Sequence, residues 1–188
     1  MRPLILPLLV LGLAQPVWAQ SDTGAGPTAE DTVVAFGAPE PVVIDTGDSR
    51  HTVMAELAVT PEQMQRGLMW RETVPVGTGM LFHYVPAQRA AMWMENTLAD
   101  LDLLFIDESG EVVKVIAYAQ AGSRRSLPAN AEVSGVLELA AGQAIEMGIR
   151  PGDSVHHAIF GNAELDALDD TNETGNDAAA EDGADDTP

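Results

Sequence analysis

The chain contains no cysteine. That absence excludes disulfide scaffolds, thiol nucleophiles, iron–sulfur clusters and cysteine-ligated zinc. Basic residues are scarce: nine Lys and Arg stand against 29 Asp and Glu, a formal net charge of -20. Nucleic acid needs a basic surface, and so does docking on anionic lipid, so both are excluded as partners. Aromatic residues make up only 5 % of the 188 residues, yet 46 % are hydrophobic, enough to build a buried core. The longest apolar run, Leu4 to Ala14, is broken by Pro7 and Gly12. It falls short of the roughly 20 residues that span a bilayer.

That run follows Arg2 and precedes Val17 and Ala19, residues suited to the minus-three and minus-one positions of a cleavage site. Residues 1–19 therefore read as a secretory signal peptide, which places the mature protein in the periplasm or outside the cell without stable membrane insertion. Residues 20–41 are rich in Gly, Pro, Ala, Thr and acids, and read as a disordered linker. Residues 162–188 read as a disordered acidic tail: Glu164 to Pro188 holds ten acids and no basic or aromatic residue. Residues 42–161 form the expected domain. With 15 acidic and eight basic residues it carries only about -7.

Within that domain Val53, Ala55, Leu57 and Val59 alternate with Thr52, Met54, Glu56 and Ala58, the period of a half-buried strand. Thr60, Pro61 and Gln63 form a capping-box signal for a short helix that Gly67 closes. Met80–Tyr84, Ala91–Met94 and the densely apolar Leu101–Ile106 follow as strands. An Asp107–Gly110 turn leads to a hairpin partner at Val112–Ala119. Gly122 to Ala131 reads as a surface loop, Val136–Leu139 and Ser154–Phe160 as strands, and Gln143–Met147 as a helical turn. No helix is long enough to cover a parallel sheet. The expected fold is mainly β: an antiparallel sandwich or barrel with one or two short helices.

The order of short motifs here resembles a known family, domain of unknown function 192. The markers are Gly67-Leu68-Met69 with Arg71, Gly79-Met80-Leu81-Phe82, and Trp93-Met94-Glu95-Asn96-Thr97-Leu98. Leu101-Asp102, Phe105-Ile106-Asp107, Leu137-Glu138-Leu139, Ala141-Gly142 and Gly152-Asp153 complete the pattern. The resemblance implies a compact, jelly-roll-like β fold. It implies no activity and supplies no catalytic residues. Glu95 stands where the family often carries Lys.

Candidate functional residues cluster around Trp93. Glu95, Asn96, Asp100 and Asp102 lie just after it, between two apolar strands. One reading makes Asn96 the lock of a turn and Trp93 a core filler. The other makes this a polar pocket rim floored by Trp93. Asp100 and Asp102 are two residues apart, so in extended chain they share a face and could serve acid–base chemistry or Ca²⁺. Arg66 and Arg71 flank the Gly67 turn and suit either a structural ion pair with Asp100 or Asp102 or recognition of an anion. Seven methionines lie in the domain with His51, His83, His156 and His157. Thioethers and imidazoles can hold Cu(I), although methionine is more often a flexible core filler. The site expected is thus a ligand-binding one made of Trp93, Glu95, Asn96, Asp100, Asp102, Arg66 and Arg71, with no cofactor and no dedicated metal ligands. The function expected is a monomeric, non-catalytic module for a small ligand, polymer or partner protein. The alternatives are a hydrolase using Asp100 and Asp102, and a periplasmic metal-binding protein using Met and His.

Overall fold

The computed structural model describes residues 26–163. The expected signal peptide and nearly all of the expected acidic tail lie outside the described residues. Nine strands and two short helices are present among those residues, so the mainly β expectation holds. They are β1 (Glu40–Asp45), β2 (Arg50–Ala58), α1 (Pro61–Arg66), β3 (Thr78–Gln88), β4 (Ala91–Met92), β5 (Leu101–Ile106), β6 (Val112–Ala119), β7 (Leu127–Pro128), β8 (Val133–Ala140), α2 (Gln143–Glu146) and β9 (Ser154–His156). A 3-10 turn over Ala158–Phe160 follows where the last strand was expected to continue.

Seven strands form one curled sheet in the order β6-β5-β8-β3-β2-β1-β9. Its two edges meet: Val112 N–H donates to the Asp153 carbonyl at 2.8 Å and Val155 N–H to the Gly110 carbonyl at 2.7 Å. This contact satisfies edge groups that would otherwise be open to pairing with another chain. The remaining strands, β4 and β7, pair separately. β7 lies inside the stretch expected to be a plain surface loop.

The sheet has apolar side chains on both faces. Val42, Ile44, Val53, Ala55, Leu81, Leu104, Ile106, Leu137 and Leu139 pack with Ala144, Ile149 and Phe160 on one side. Met80, Phe82, Leu101, Leu103, Phe105 and Val136 pack on the other, beneath Leu68, Ala90, Met92, Met94 and Ala129. Strand β5 is buried at every position, which is why it reads as an apolar run interrupted only by Asp102 rather than an alternating one.

One pairing departs from the antiparallel expectation. β2 and β3 run parallel, with Met54 opposite Thr78 and Ala58 opposite Phe82. Parallel neighbours cannot be joined by a hairpin, so residues 59–77 cross over the sheet. The crossover contains α1, whose capping box forms as its sequence indicates. Gln63 N–H donates to Thr60 Oγ1 at 3.2 Å, and Thr60 N–H donates to Gln63 Oε1 at 3.1 Å. Gly67 then ends the helix at φ 48°, where a Cβ would stand 3.1 Å from the Phe82 ring. A larger residue there would be strained twice over, in backbone and in packing.

Asp102 is a structural residue. β6 carries an extra residue opposite it: Leu101 faces Ala119, whereas Leu103 faces Ile116. That bulge frees the Tyr118 N–H, which donates to Asp102 Oδ1 at 2.8 Å. The other oxygen, Oδ2, accepts from Ala144 N–H at 2.8 Å, in the first turn of α2. Asp102 is fully buried and thereby ties β5, β6 and α2 together. Truncating it would strand two inward-facing amides. Asp102→Ala is expected to lower unfolding free energy by about 3 kcal/mol, and Asp102→Asn by less because one acceptor survives. Urea unfolding curves of the two variants and the parent check both the size and the order.

Candidate functional site

The crossover and the β3–β4 connection leave a concavity of about 310 Å³ on the Met80 face of the sheet. α1 and its turn contribute Met64, Arg66, Gly67, Leu68 and Met69; the following stretch contributes Arg89, Ala90, Met92, Trp93 and Thr97. The sheet supplies Phe82, Tyr84 and Glu138. The volume is at the lower end of the range typical of small-molecule sites, and the walls mix apolar side chains with the polar groups of Gln65, Gln88, Arg66, Arg89 and Glu138.

Glu138 is the unusual member. It sits in β8 between Met80 of β3 and Leu103 of β5, and is only 4 % exposed. Among the described residues none hydrogen-bonds to its carboxyl. Burial pushes its pKa up from 4.5 to about 8, and the positive charge of Arg71 offsets only part of that rise. The acid is therefore held neutral over most of the ordinary pH range. Tyr84 is its titratable neighbour. Burial, reinforced by the nearby Glu138, raises the phenol to about 12. Its hydroxyl donates to Met92 Sδ at 3.4 Å.

The arginines are engaged elsewhere. Arg66 Nη1 donates to the Pro27 carbonyl at 3.2 Å and also to the Ala29 carbonyl. Arg71 pairs with Glu56 and lies 5.6 Å from the centre of the Phe36 ring. Arg89 donates to the Asn130 carbonyl at 3.2 Å. The expected ion pair between Arg66 or Arg71 and Asp100 or Asp102 is thus corrected: Arg71 finds its carboxylate on β2, and Arg66 finds main-chain carbonyls.

The remaining expected site residues divide. Trp93 lines the concavity but is 51 % exposed, so it is no core filler. The alternation around it holds, with Met92 and Met94 buried and Trp93 turned outward. Asn96 adopts φ 62°, a left-handed conformation that Asn tolerates, and its carbonyl accepts from Trp70 N–H at 2.9 Å. The turn after Trp93 is in this way locked to the turn after Gly67. Both also reach the same chain segment, since Trp70 Nε1–H donates to the Thr28 carbonyl at 2.9 Å and the Asn96 amide lies 3.4 Å from it. Residues 26–39, in the stretch read as a linker, lack regular strands yet make these contacts. Glu95 forms an exposed ion pair with Arg124 at 3.0 Å.

Asp100 and Asp102 do not share a cleft. Asp100 precedes β5, so strand alternation does not reach it. It is exposed and accepts from Ala121 N–H at 2.7 Å. Asp102 is sealed on the opposite side of the sheet from Glu138. The methionines also divide. Met64, Met69 and Met92 line the concavity, whereas Met80 and Met94 are core. None of the four histidines lines it. His157 is buried against Glu40 at 3.2 Å, and His156 Nδ1 lies 3.2 Å from the Asn162 carbonyl. Among the described residues no group of three or more His, Asp or Glu side chains could hold a metal ion.

The sequence reading missed Glu138 and Tyr84 as site residues. A usable signal existed: Glu138 is a lone acid in an apolar strand, Val136-Leu137-Glu138-Leu139, which no alternation places in solvent. Tyr84 carries no comparable signal, because it is the fold that brings it to the same concavity as Glu138.

The family model for DUF192, described as an uncharacterized ACR, matches residues 42–157. Among solved structures, a protein from Sinorhizobium meliloti 1021 described as a candidate transcription regulator is 33 % identical. That match covers 68 % of this chain and 99 % of the other, with a TM-score of 0.65. A protein of unknown function from Novosphingobium aromaticivorans DSM 12444 is 31 % identical over 72 % of this chain and 99 % of its own, with a TM-score of 0.63. No curated protein matches. This chain belongs to the DUF192 family.

Proposed function

We propose that this protein is an exported, monomeric, non-catalytic module that binds a small organic ligand in the concavity above Glu138. The observation that carries the reading is the Glu138 carboxyl, on a residue only 4 % exposed, which has no hydrogen-bond partner among the described residues and opens to a ligand-sized space. Buried polar groups are normally satisfied, and one that opens onto a cavity takes its partner from what enters that space. Export rests on the signal-like residues 1–19. The hydrolase alternative loses its motivation, since Asp100 and Asp102 are held apart by separate backbone partners. The transcription-regulator description of the Sinorhizobium protein does not extend to nucleic-acid contact here, because the domain carries about -7. The metal alternative retains one supporting observation, the three thioethers lining the space, but lacks an imidazole beside them.

Methionine methyl groups report on the site directly. In a ¹³C-methyl NMR titration with benzyl alcohol, the Met64, Met69 and Met92 signals are expected to move saturably while those of Met54 and Met147 stay still. Affinity for so small a probe is expected near about 1 mM. Cu(I) titrated in the absence of oxygen serves as the metal control. If benzyl alcohol, benzylammonium and benzoate all leave the three methyls unmoved, the binding reading is wrong.

Glu138 also predicts a pH effect with a definite sign. A carboxyl whose folded pKa is raised leaves the fold unpenalised below the unfolded value of 4.5, and stability is lost as pH rises toward about 8. Glu138→Gln removes that loss. The variant is expected to gain stability over the parent progressively from about pH 5 to about pH 8, on the order of 3 kcal/mol at the upper end. Urea midpoints measured across that range check it. A constant difference at all pH values would show that the carboxyl is not buried in its acid form.

A further inference from the structure

We propose that the ligand of this concavity is an organic ammonium, its cationic head set against the Glu138 carboxylate and its apolar body among Trp93, Phe82 and the methionines. This rests on the reading of the concavity as a binding site and adds the chemical class of the guest. Two observations converge on a cation.

The first is the open carboxyl itself. Glu138 has no hydrogen-bond donor among the described residues, and the three arginines near it are committed to Pro27 and Ala29, to Glu56, and to Asn130. An ammonium supplies both the charge and the donors that the protein withholds. The second is the wall. Trp93, Tyr84 and Phe82 line the same space, and aromatic faces attract cations, most strongly where water is excluded. A bare metal ion would leave most of about 310 Å³ unfilled, whereas an alkyl or aryl ammonium fills it.

Binding is then coupled to a proton. The charged and titratable groups packed around Glu138 are Tyr84 from β3, Arg66 from α1, Arg71 with its partner Glu56, and Arg89 beyond β3. Tyr84 titrates far above neutrality, whereas Glu138 changes state between about pH 6 and about pH 8. The guest enters as a cation, Glu138 gives its proton to solvent, and the resulting ion pair replaces a neutral acid. Charge balances: one positive charge arrives and one proton leaves.

The test compares benzylammonium, benzyl alcohol and benzoate by the same methionine-methyl titration. These probes share one ring and differ in the head group. Benzylammonium is expected to bind at least about tenfold more tightly than benzyl alcohol at about pH 8, with benzoate weakest. Its affinity is expected to rise close to about tenfold per pH unit between about pH 6 and about pH 7.5, because the probe stays charged while Glu138 ionises. Calorimetry in two buffers of different ionisation enthalpy is expected to show nearly one proton released at pH 7. Glu138→Gln abolishes both the preference and the pH dependence while benzyl alcohol still binds, which also shows that the variant is folded. If it does not fold, the pH dependence of the parent decides the matter. Equal or tighter binding of benzyl alcohol or benzoate, or affinity that falls as pH rises, overturns the ammonium assignment and leaves the binding module intact. Silence from all three probes overturns both.

Discussion

The parallel pairing of β2 with β3 is the constraint from which the rest of the architecture follows. Two neighbouring strands running the same way need a crossover, and a crossover must lie on one face of the sheet. Residues 59–77 therefore cover the Met80 face, and their short helix and Gly67 turn become a wall instead of a surface ornament. The turn is locked to the Asn96 turn by a main-chain hydrogen bond, so the two loops that bound the concavity are fixed relative to each other. The concavity results because these loops meet one another at their ends and do not fill the sheet surface between them.

Two carboxylates on adjacent strands show how much the face matters. Asp102 and Glu138 are near neighbours in the ladder, since Asp102 faces Leu139 and Leu103 faces Glu138. Successive side chains point to opposite sides, so the two acids enter different environments. Asp102 meets two free backbone amides, one released by a bulge and one at the start of α2, and becomes a fastening between elements. Glu138 meets apolar side chains and an open space, and its burial favours the neutral acid. A group of that kind costs the fold stability as pH rises from its unfolded proton affinity toward its native one, so stability does not account for its burial.

Local signals in the sequence were read well where the physics is local. The capping box at Thr60 needs only residues three apart, and it forms. The alternation of Met92, Trp93 and Met94 correctly separates inside from outside. The same reasoning failed for Asp100 and Asp102, because a two-residue spacing shares a face only inside a strand and β5 begins at Leu101. It failed again for the arginines, whose partners lie on β2 and on residues 27 and 29, far away along the chain. Met64, Met69 and Met92 cannot be distinguished from Met80 and Met94 by any local pattern, since all occupy apolar positions.

The mainly β class, the helix start at Thr60 and the turn at Gly67 are legible in the chain alone. These depend on composition or on groups within a few residues of each other. That Glu138 faces a concavity and Asp102 a pair of amides is legible only in the folded molecule. That outcome depends on which strands pair, in which direction, and where a bulge falls. Those are contacts between residues tens of positions apart, whose free energy no short window of sequence contains.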